Sequence, residues 1–116
     1  MNIITQGSHI EITEAIQSYL DKKLEGLSKF LNDESQVQAD LGKTTNHHKH
    51  GDIFKAELNI VHKGEYTRVV AEKDDLYSAI DAVKDEAHDA LSSKKDKKQS
   101  LFRRGAHRIK RLFRGQ

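Results

Sequence analysis

Phe54, Ala56, Leu58 and Ile60 alternate with Lys55, Glu57 and Asn59. A two-residue period of this kind fits a strand with one apolar face. That face must be covered, and the chain carries two segments able to cover it. Ile16, Leu20, Leu24, Leu27 and Leu31 recur at steps of four, four, three and four, which marks one helical face from Glu14 to about Leu31. Leu76, Ile80, Val83, Ala87 and Leu91 form a second such stripe, with Ala79 and Ala90 beside it. One-sided helices on a one-sided sheet make a two-layer α+β sandwich.

The remaining elements fill in around that pair. Asn2 to Gln6 is a short β-branched run stopped by Gly7, a first strand. Thr13 offers an N-cap and Glu14 an anion in the first turn, where the helix dipole favours it. Tyr19 and Phe30 widen the stripe of the first helix. Lys23, at the same edge, is expected to lay its stem on these rings and keep its ammonium in water. Asn32-Asp33 ends the helix, and Val37, Ala39 and Leu41 alternate with polar residues as a second strand. Thr44 to Asp52 reads as a loop. His62-Lys63-Gly64-Glu65 reads as a hairpin turn, with Gly64 free to take positive φ, and Tyr66 to Glu72 pairs back. Asp74 is the expected cap of the second helix. The predicted order is βαβββα, with strands two to four as an antiparallel meander and the first strand a parallel neighbour through a right-handed crossover.

Charge divides the chain in two. Residues 1–93 hold ten Lys/Arg against seventeen Asp/Glu, a balance of −7, and residues 94–116 hold ten against one, +9, which together give the net +2. We therefore expect a domain over 1–93 and a polyanion-seeking tail over 94–116. Within the tail, SSKKDKKQS reads as a hinge or a frayed helix end. LFRRGAHRIKRLFRG then sets Leu101, Phe102, Ala106, Ile109, Leu112 and Phe113 against Arg103, Arg104, Arg108, Arg111 and Arg114, a basic amphipathic segment. Gly105 weakens its helicity by about 1 kcal/mol relative to Ala. Such a segment can bind RNA phosphates, lie on an anionic membrane or dock in a partner groove. By itself it does not choose.

Other chemistry finds little support. The absence of Cys excludes disulfides and zinc-thiolate sites and fits a reducing cytosol. No apolar run approaches the roughly 20 residues of a membrane span, and the N-terminus lacks the pattern of a secretory signal. His47, His48 and His50 share one loop but lack a fixed ligand spacing, so no metal site is expected. No carboxylate sits in an apolar setting that would raise its pKa, and no phosphate loop or nucleophile motif occurs. No enzymatic activity and no cofactor are expected.

Ile12-Thr13-Glu14-Ala15-Ile16, then Lys22-Lys23-Leu24 with Leu27, and above all Asp75-Leu76-Tyr77-Ser78-Ala79-Ile80-Asp81 resemble the ribosome hibernation promoting factor family. The last run is close to the family's D-M-Y-A-A-I-D signature, and the resemblance spans residues 1–98. It implies a four-stranded sheet with two helices on one face, similar to double-stranded RNA-binding domains. It also implies a cytoplasmic protein that occupies the small ribosomal subunit near the decoding centre, along the mRNA and tRNA path, and silences translation under stress. The rRNA contacts it implies come from Lys22, Lys23 and Lys29 on the first helix and Lys84 on the second, then Lys94, Lys95, Lys97 and Lys98. Arg103, Arg104 and Arg108 of the tail would add to them. No small-molecule substrate is expected, a membrane is not the expected partner, and a monomer is the expected state.

The chain departs from the family's pattern in two places. Asp85-Glu86-Ala87-His88-Asp89 stands where the family is usually basic, and a helical projection puts Asp81, Asp85, Glu86 and Asp89 on one outward side. Gly26 stands where a lysine is common. The 23 residues after Ser93 are too few for the long form's C-terminal dimerisation domain. The expected role of the tail is to restore phosphate contacts that the acidic helix lost. The alternative is an RNA- or anionic-membrane-binding stress protein of the same fold that has lost the ribosomal site and works through its tail.

Overall fold

The computed structural model describes the backbone of residues 1–45 and 51–114 and the side chains of residues 1–44 and 51–98. Four strands, β1 (Asn2–Ser8), β2 (Gln36–Thr45), β3 (Asp52–His62) and β4 (Glu65–Lys73), form one sheet in the order β1-β2-β3-β4. β1 runs parallel to β2, opposite which Ile3 meets Val37, and β2, β3 and β4 form an antiparallel meander. Helix α1 (Glu14–Leu24) links β1 to β2, and α2 (Leu76–Arg114) follows β4. The βαβββα order and the two-layer architecture are those expected.

The core lies between the sheet and the helices. Leu20, Leu24 and Leu27 from the first helical segment and Leu76, Ile80, Val83, Ala87 and Leu91 from α2 are buried. They share one cluster with Val37, Ala39, Leu41, Ala56, Leu58 and Ile60. Burying each such leucine or isoleucine contributes about 1.5–3 kcal/mol. On the other sheet face, Arg68 reaches Glu57 at 2.6 Å, and Asn59 donates to the same carboxylate at 3.0 Å. Asn59 and Arg68 hold that carboxyl below its ordinary value.

Five local features differ from the sequence reading. The expected loop from Thr44 to Asp52 is shorter at both ends, because β2 runs on to Thr45 and pairs there with Asp52 at the start of β3. β1 does not stop at Gly7 but runs to Ser8, because Gly7 serves a close approach: a Cβ there would stand 2.8 Å from the Ile10 carbonyl oxygen. The first helix tightens after Leu24 into a 3-10 segment, Glu25–Phe30. Three residues per turn put Leu24, Leu27 and Phe30 in line, so the apolar face survives the change of period. The second helix is capped by Asp75 rather than Asp74. Its carboxylate accepts from the backbone N–H of Tyr77 at 2.9 Å and of Ser78 at 3.3 Å, and from the Ser78 hydroxyl. Those bonds hold the Asp75 carboxyl below its usual range. Finally, α2 does not break at Ser93: its 39 residues continue through SSKKDKKQS to Arg114. Lys94 and Lys98, whose side chains bond to β4, help hold that stretch in place.

The turn between β3 and β4 is as read. Lys63 and Gly64 both have positive φ, 50° and 76°, the pattern of a type I′ turn. This tight turn brings His62 and Glu65 face to face at the end of the sheet.

Candidate nucleic-acid interface

The two helices lie side by side and run in the same direction. Contacts between them advance together in sequence. Tyr19 meets Tyr77 edge-on with ring centroids 4.9 Å apart, Lys23 reaches Asp81 at 3.3 Å, Gly26 faces Lys84, and Phe30 meets His88 edge-on at 5.1 Å. Lysines line this seam. Its two ends differ in how their charge is met.

At the end nearer the start of α2, Asp81 receives both the Tyr19 hydroxyl, at 2.6 Å, and the Lys23 ammonium. The Asp81 hydrogen bond, with its negative charge, raises the pKa of both partners. The Lys23 ammonium also stands 5.4 Å from the Tyr19 ring centre, so the group expected in water lies over the ring and takes a carboxylate partner. Asp81 is therefore not part of an outward acidic face. It points into the seam, because Tyr19 and Lys23 offer it donors there, and only Asp85, Glu86 and Asp89 stand outward and exposed. Midway, Lys84 crosses Gly26: a Cβ on Gly26 would come within 2.9 Å of Lys84 Cε. The position that lacks a lysine on the first helical segment is thus covered by a lysine from α2, whose Nζ lies 3.6 Å from Asp85.

The other end of the seam opens into a groove of about 280 Å³, lined by Lys29, Phe30, His62, Lys63, Glu65, Thr67, Leu91, Lys94, Lys95 and Lys98. Lys29 and Lys95 both lie over the Phe30 ring, at 5.2 and 6.0 Å. Lys94 donates to the Tyr66 carbonyl at 2.9 Å and to the Thr67 hydroxyl at 2.7 Å, and Lys98 meets Glu65 at 2.9 Å. Hydrogen bonding and charge from Lys98, with Lys94 behind it, hold the Glu65 carboxyl below its usual range. Burial, with Lys63 and Lys98 nearby, lowers the His62 pKa, and its Nδ1 shares a 2.6 Å hydrogen bond with Ser35 Oγ.

Of the expected RNA contacts, the fold gathers Lys29, Lys94, Lys95 and Lys98 in this groove and places Lys23 and Lys84 along the seam leading to it. Lys22 and Lys97 are exposed. Arg103, Arg104 and Arg108 lie on the helical backbone of α2, and their side chains are outside those described. The hairpin residues His62, Lys63 and Thr67 complete the groove and were not foreseen. The Lys63-Gly64 turn signalled a hairpin but not the helix it would meet. His47, His48 and His50 lie outside the described residues. Among the described residues no cluster of three or more His, Asp or Glu could hold a metal, and no helix is long and apolar enough to cross a membrane.

Comparison with known proteins agrees with this architecture. The N-terminal domain of Thermus thermophilus Protein Y superposes with a TM-score of 0.67 at 30% identity, over 78% of this chain and 96% of that one. A ribosomal subunit interface protein from Coxiella burnetii shares the fold with a TM-score of 0.67 at 22% identity, over 83% of this chain and 99% of its own. In sequence the chain is 32% identical over 82 residues to a ribosome hibernation promotion factor of Picosynechococcus sp., covering 70% of this chain. It is 30% identical over 76 residues to a protein of the same name from Lactococcus lactis subsp. cremoris, covering 66% of this chain. The matched segments make up 42% and 40% of those two relatives. The family model for the Sigma 54 modulation protein / S30EA ribosomal protein matches residues 3–99, past Ser93 and through the lysines that line the groove. This chain belongs to the Sigma 54 modulation protein / S30EA ribosomal protein family.

Proposed function

We propose that this protein is a non-catalytic, cytoplasmic ribosome-hibernation factor that binds rRNA of the small subunit near the decoding centre and blocks the mRNA and tRNA path. The observation that carries the reading is the lysine-lined seam between the parallel helices, ending in the groove that holds Lys29, Lys94, Lys95 and Lys98. Structured RNA is recognised largely by shape and by phosphate and 2′-hydroxyl contacts. A compact body with ammonium groups along one seam meets that need without chemistry. Residues 1–93 form the domain of this reading and residues 94–116 its basic arm, with Arg103, Arg104 and Arg108 adding phosphate contacts.

Cosedimentation of the full chain with purified small subunits tests it. Binding is expected, falling steeply between 50 and 200 mM salt as counterion release requires. Removal of residues 99–116, beyond the anchored part of α2, is expected to weaken it at least tenfold. Absence of binding at low salt would sink the proposal. The +9 balance of residues 94–116 favours one second reading, in which the arm serves other RNA or an anionic membrane. Binding of the full chain to phosphatidylglycerol vesicles, with no cosedimentation, would select it.

A further inference from the structure

We infer that the groove between the β3–β4 hairpin and α2 is a seat for a free or terminal phosphate group, held by Lys63, Lys94, Lys95 and Lys98. The inference rests on the RNA-binding reading in that four of the lining lysines are shared. It goes further in assigning a discrete ligand and in adding the hairpin to the site.

Charge in the groove is arranged differently from charge elsewhere on the seam. Lys23 is met by Asp81, a full negative charge. Lys94 is held by two neutral acceptors, the Tyr66 carbonyl and the Thr67 hydroxyl. These fix the ammonium without neutralising it, and an ammonium has three donors, so one remains to point elsewhere. Five lysines and one carboxylate line the groove, a balance of +4 with His62 neutral. Lys98 takes that carboxylate, and Lys63 makes no ion pair among the described residues. The Lys98 hydrogen bond lowers the pKa of Glu65, and Lys63 and Lys98 add to burial in lowering that of His62.

Size and walls narrow the ligand. A volume of about 280 Å³ falls just below the roughly 300–1,000 Å³ typical of small-molecule sites. It suits a phosphate or pyrophosphate better than a span of duplex. Phe30 and Leu91 supply apolar wall, and the Lys29 and Lys95 ammonium groups stand 5.2 and 6.0 Å from the Phe30 ring centre. A terminal phosphate carries more charge than a backbone phosphodiester and gains more from a lining of net charge +4. Its source is either a free oligophosphate or the 5′ end of an RNA.

The test is amide NMR of the full chain at constant ionic strength, titrated with inorganic pyrophosphate, with a 5′-phosphorylated tetraribonucleotide, and with the same oligonucleotide lacking the phosphate. Saturable shifts confined to residues 62–67 and 91–98 are expected, with the unphosphorylated oligonucleotide at least tenfold weaker. A response to pyrophosphate alone identifies the free oligophosphate as the source, and a response to the phosphorylated oligonucleotide as well admits the RNA end. Lys63→Asn removes one cation while creating the Asn-Gly pair that type I′ turns favour, so it keeps the hairpin. It is expected to weaken pyrophosphate at least fivefold, whereas Lys73→Ala, at the far end of β4, leaves it unchanged. Shifts scattered over all lysine-bearing segments, equal binding of the unphosphorylated oligonucleotide, or wild-type binding by Lys63→Asn would overturn the inference. Small-subunit cosedimentation is measured on the same samples: persistence of cosedimentation without pyrophosphate binding defeats this inference alone, and the reverse defeats only the ribosomal reading.

Discussion

Lys84 lies across Gly26, its Cε where a side chain on that glycine would have to go. The contact is with the far end of a flexible chain, so Gly26→Ala should fold normally, displace Lys84 and gain up to about 1 kcal/mol from helical propensity. The paired exchange Gly26→Lys with Lys84→Ala moves the ammonium from one helical segment to the other over the same spot. We expect its affinity for small subunits to stay within twofold of wild type, and Lys84→Ala alone to lose more, both measured by cosedimentation. Wild-type affinity in both would show that the spot carries no RNA contact.

Tyr19 and Lys23 share Asp81. Tyr19→Phe deletes the hydrogen bond to Asp81 and should lower the urea unfolding midpoint. Asp81→Asn keeps an acceptor for Tyr19 but releases the charge of Lys23. RNA binding by that variant should strengthen at low salt and fall more steeply as salt rises.

His62 makes folding pH-dependent above the carboxylate range. Its folded pKa is depressed, by burial and then by Lys63 and Lys98, whereas the unfolded side chain titrates near 6.5. The unfolded state therefore binds more protons in the window from about 6.5 down to the folded pKa, and stability falls with pH across it. Above about 6.5 the contribution is fully present. The melting temperature should drop between pH 7.5 and 5.5, and His62→Gln should drop less. Equal slopes for the two proteins would refute the assignment.

Thr5 stands on the core side of β1, opposite Ala39, and its buried hydroxyl has no hydrogen-bond partner among the described residues. Thr5→Val is close to isosteric and removes the unmet polar atom. It should stabilise the fold by roughly 1 kcal/mol in denaturant titrations.

Alternation at Val37–Leu41 and Phe54–Ile60 and the stripes at Ile16–Leu31 and Leu76–Leu91 made the sandwich legible, since burial follows directly from period. Local competition was harder to see. Two adjacent acids, Asp74 and Asp75, each suit a cap, and only the backbone geometry decides which reaches the Tyr77 and Ser78 amides. A helical projection drew Asp81 outward because it ignores the neighbouring helix, which supplies Tyr19 and Lys23. The lysines of the site were visible as charges. Their convergence was not, because His62, Lys63 and Thr67 are some 30 residues away in sequence from the lysines they join, and nothing local encodes that meeting.

The unbroken course of α2 acts as a ruler. Lys94 and Lys98 fasten it to the edge of the sheet, and from Lys98 to Arg114 the helix rises about 1.5 Å per residue, roughly 24 Å in all. Two cationic stations on one stiff rod are held at fixed separation. A target that presents phosphates at that spacing engages the second station at high effective concentration once the first is bound, and a target with any other spacing gains nothing from it. Insertion of four residues after Lys98 would lengthen the rod by about 6 Å and rotate its far end by about 40°, separating avidity from charge.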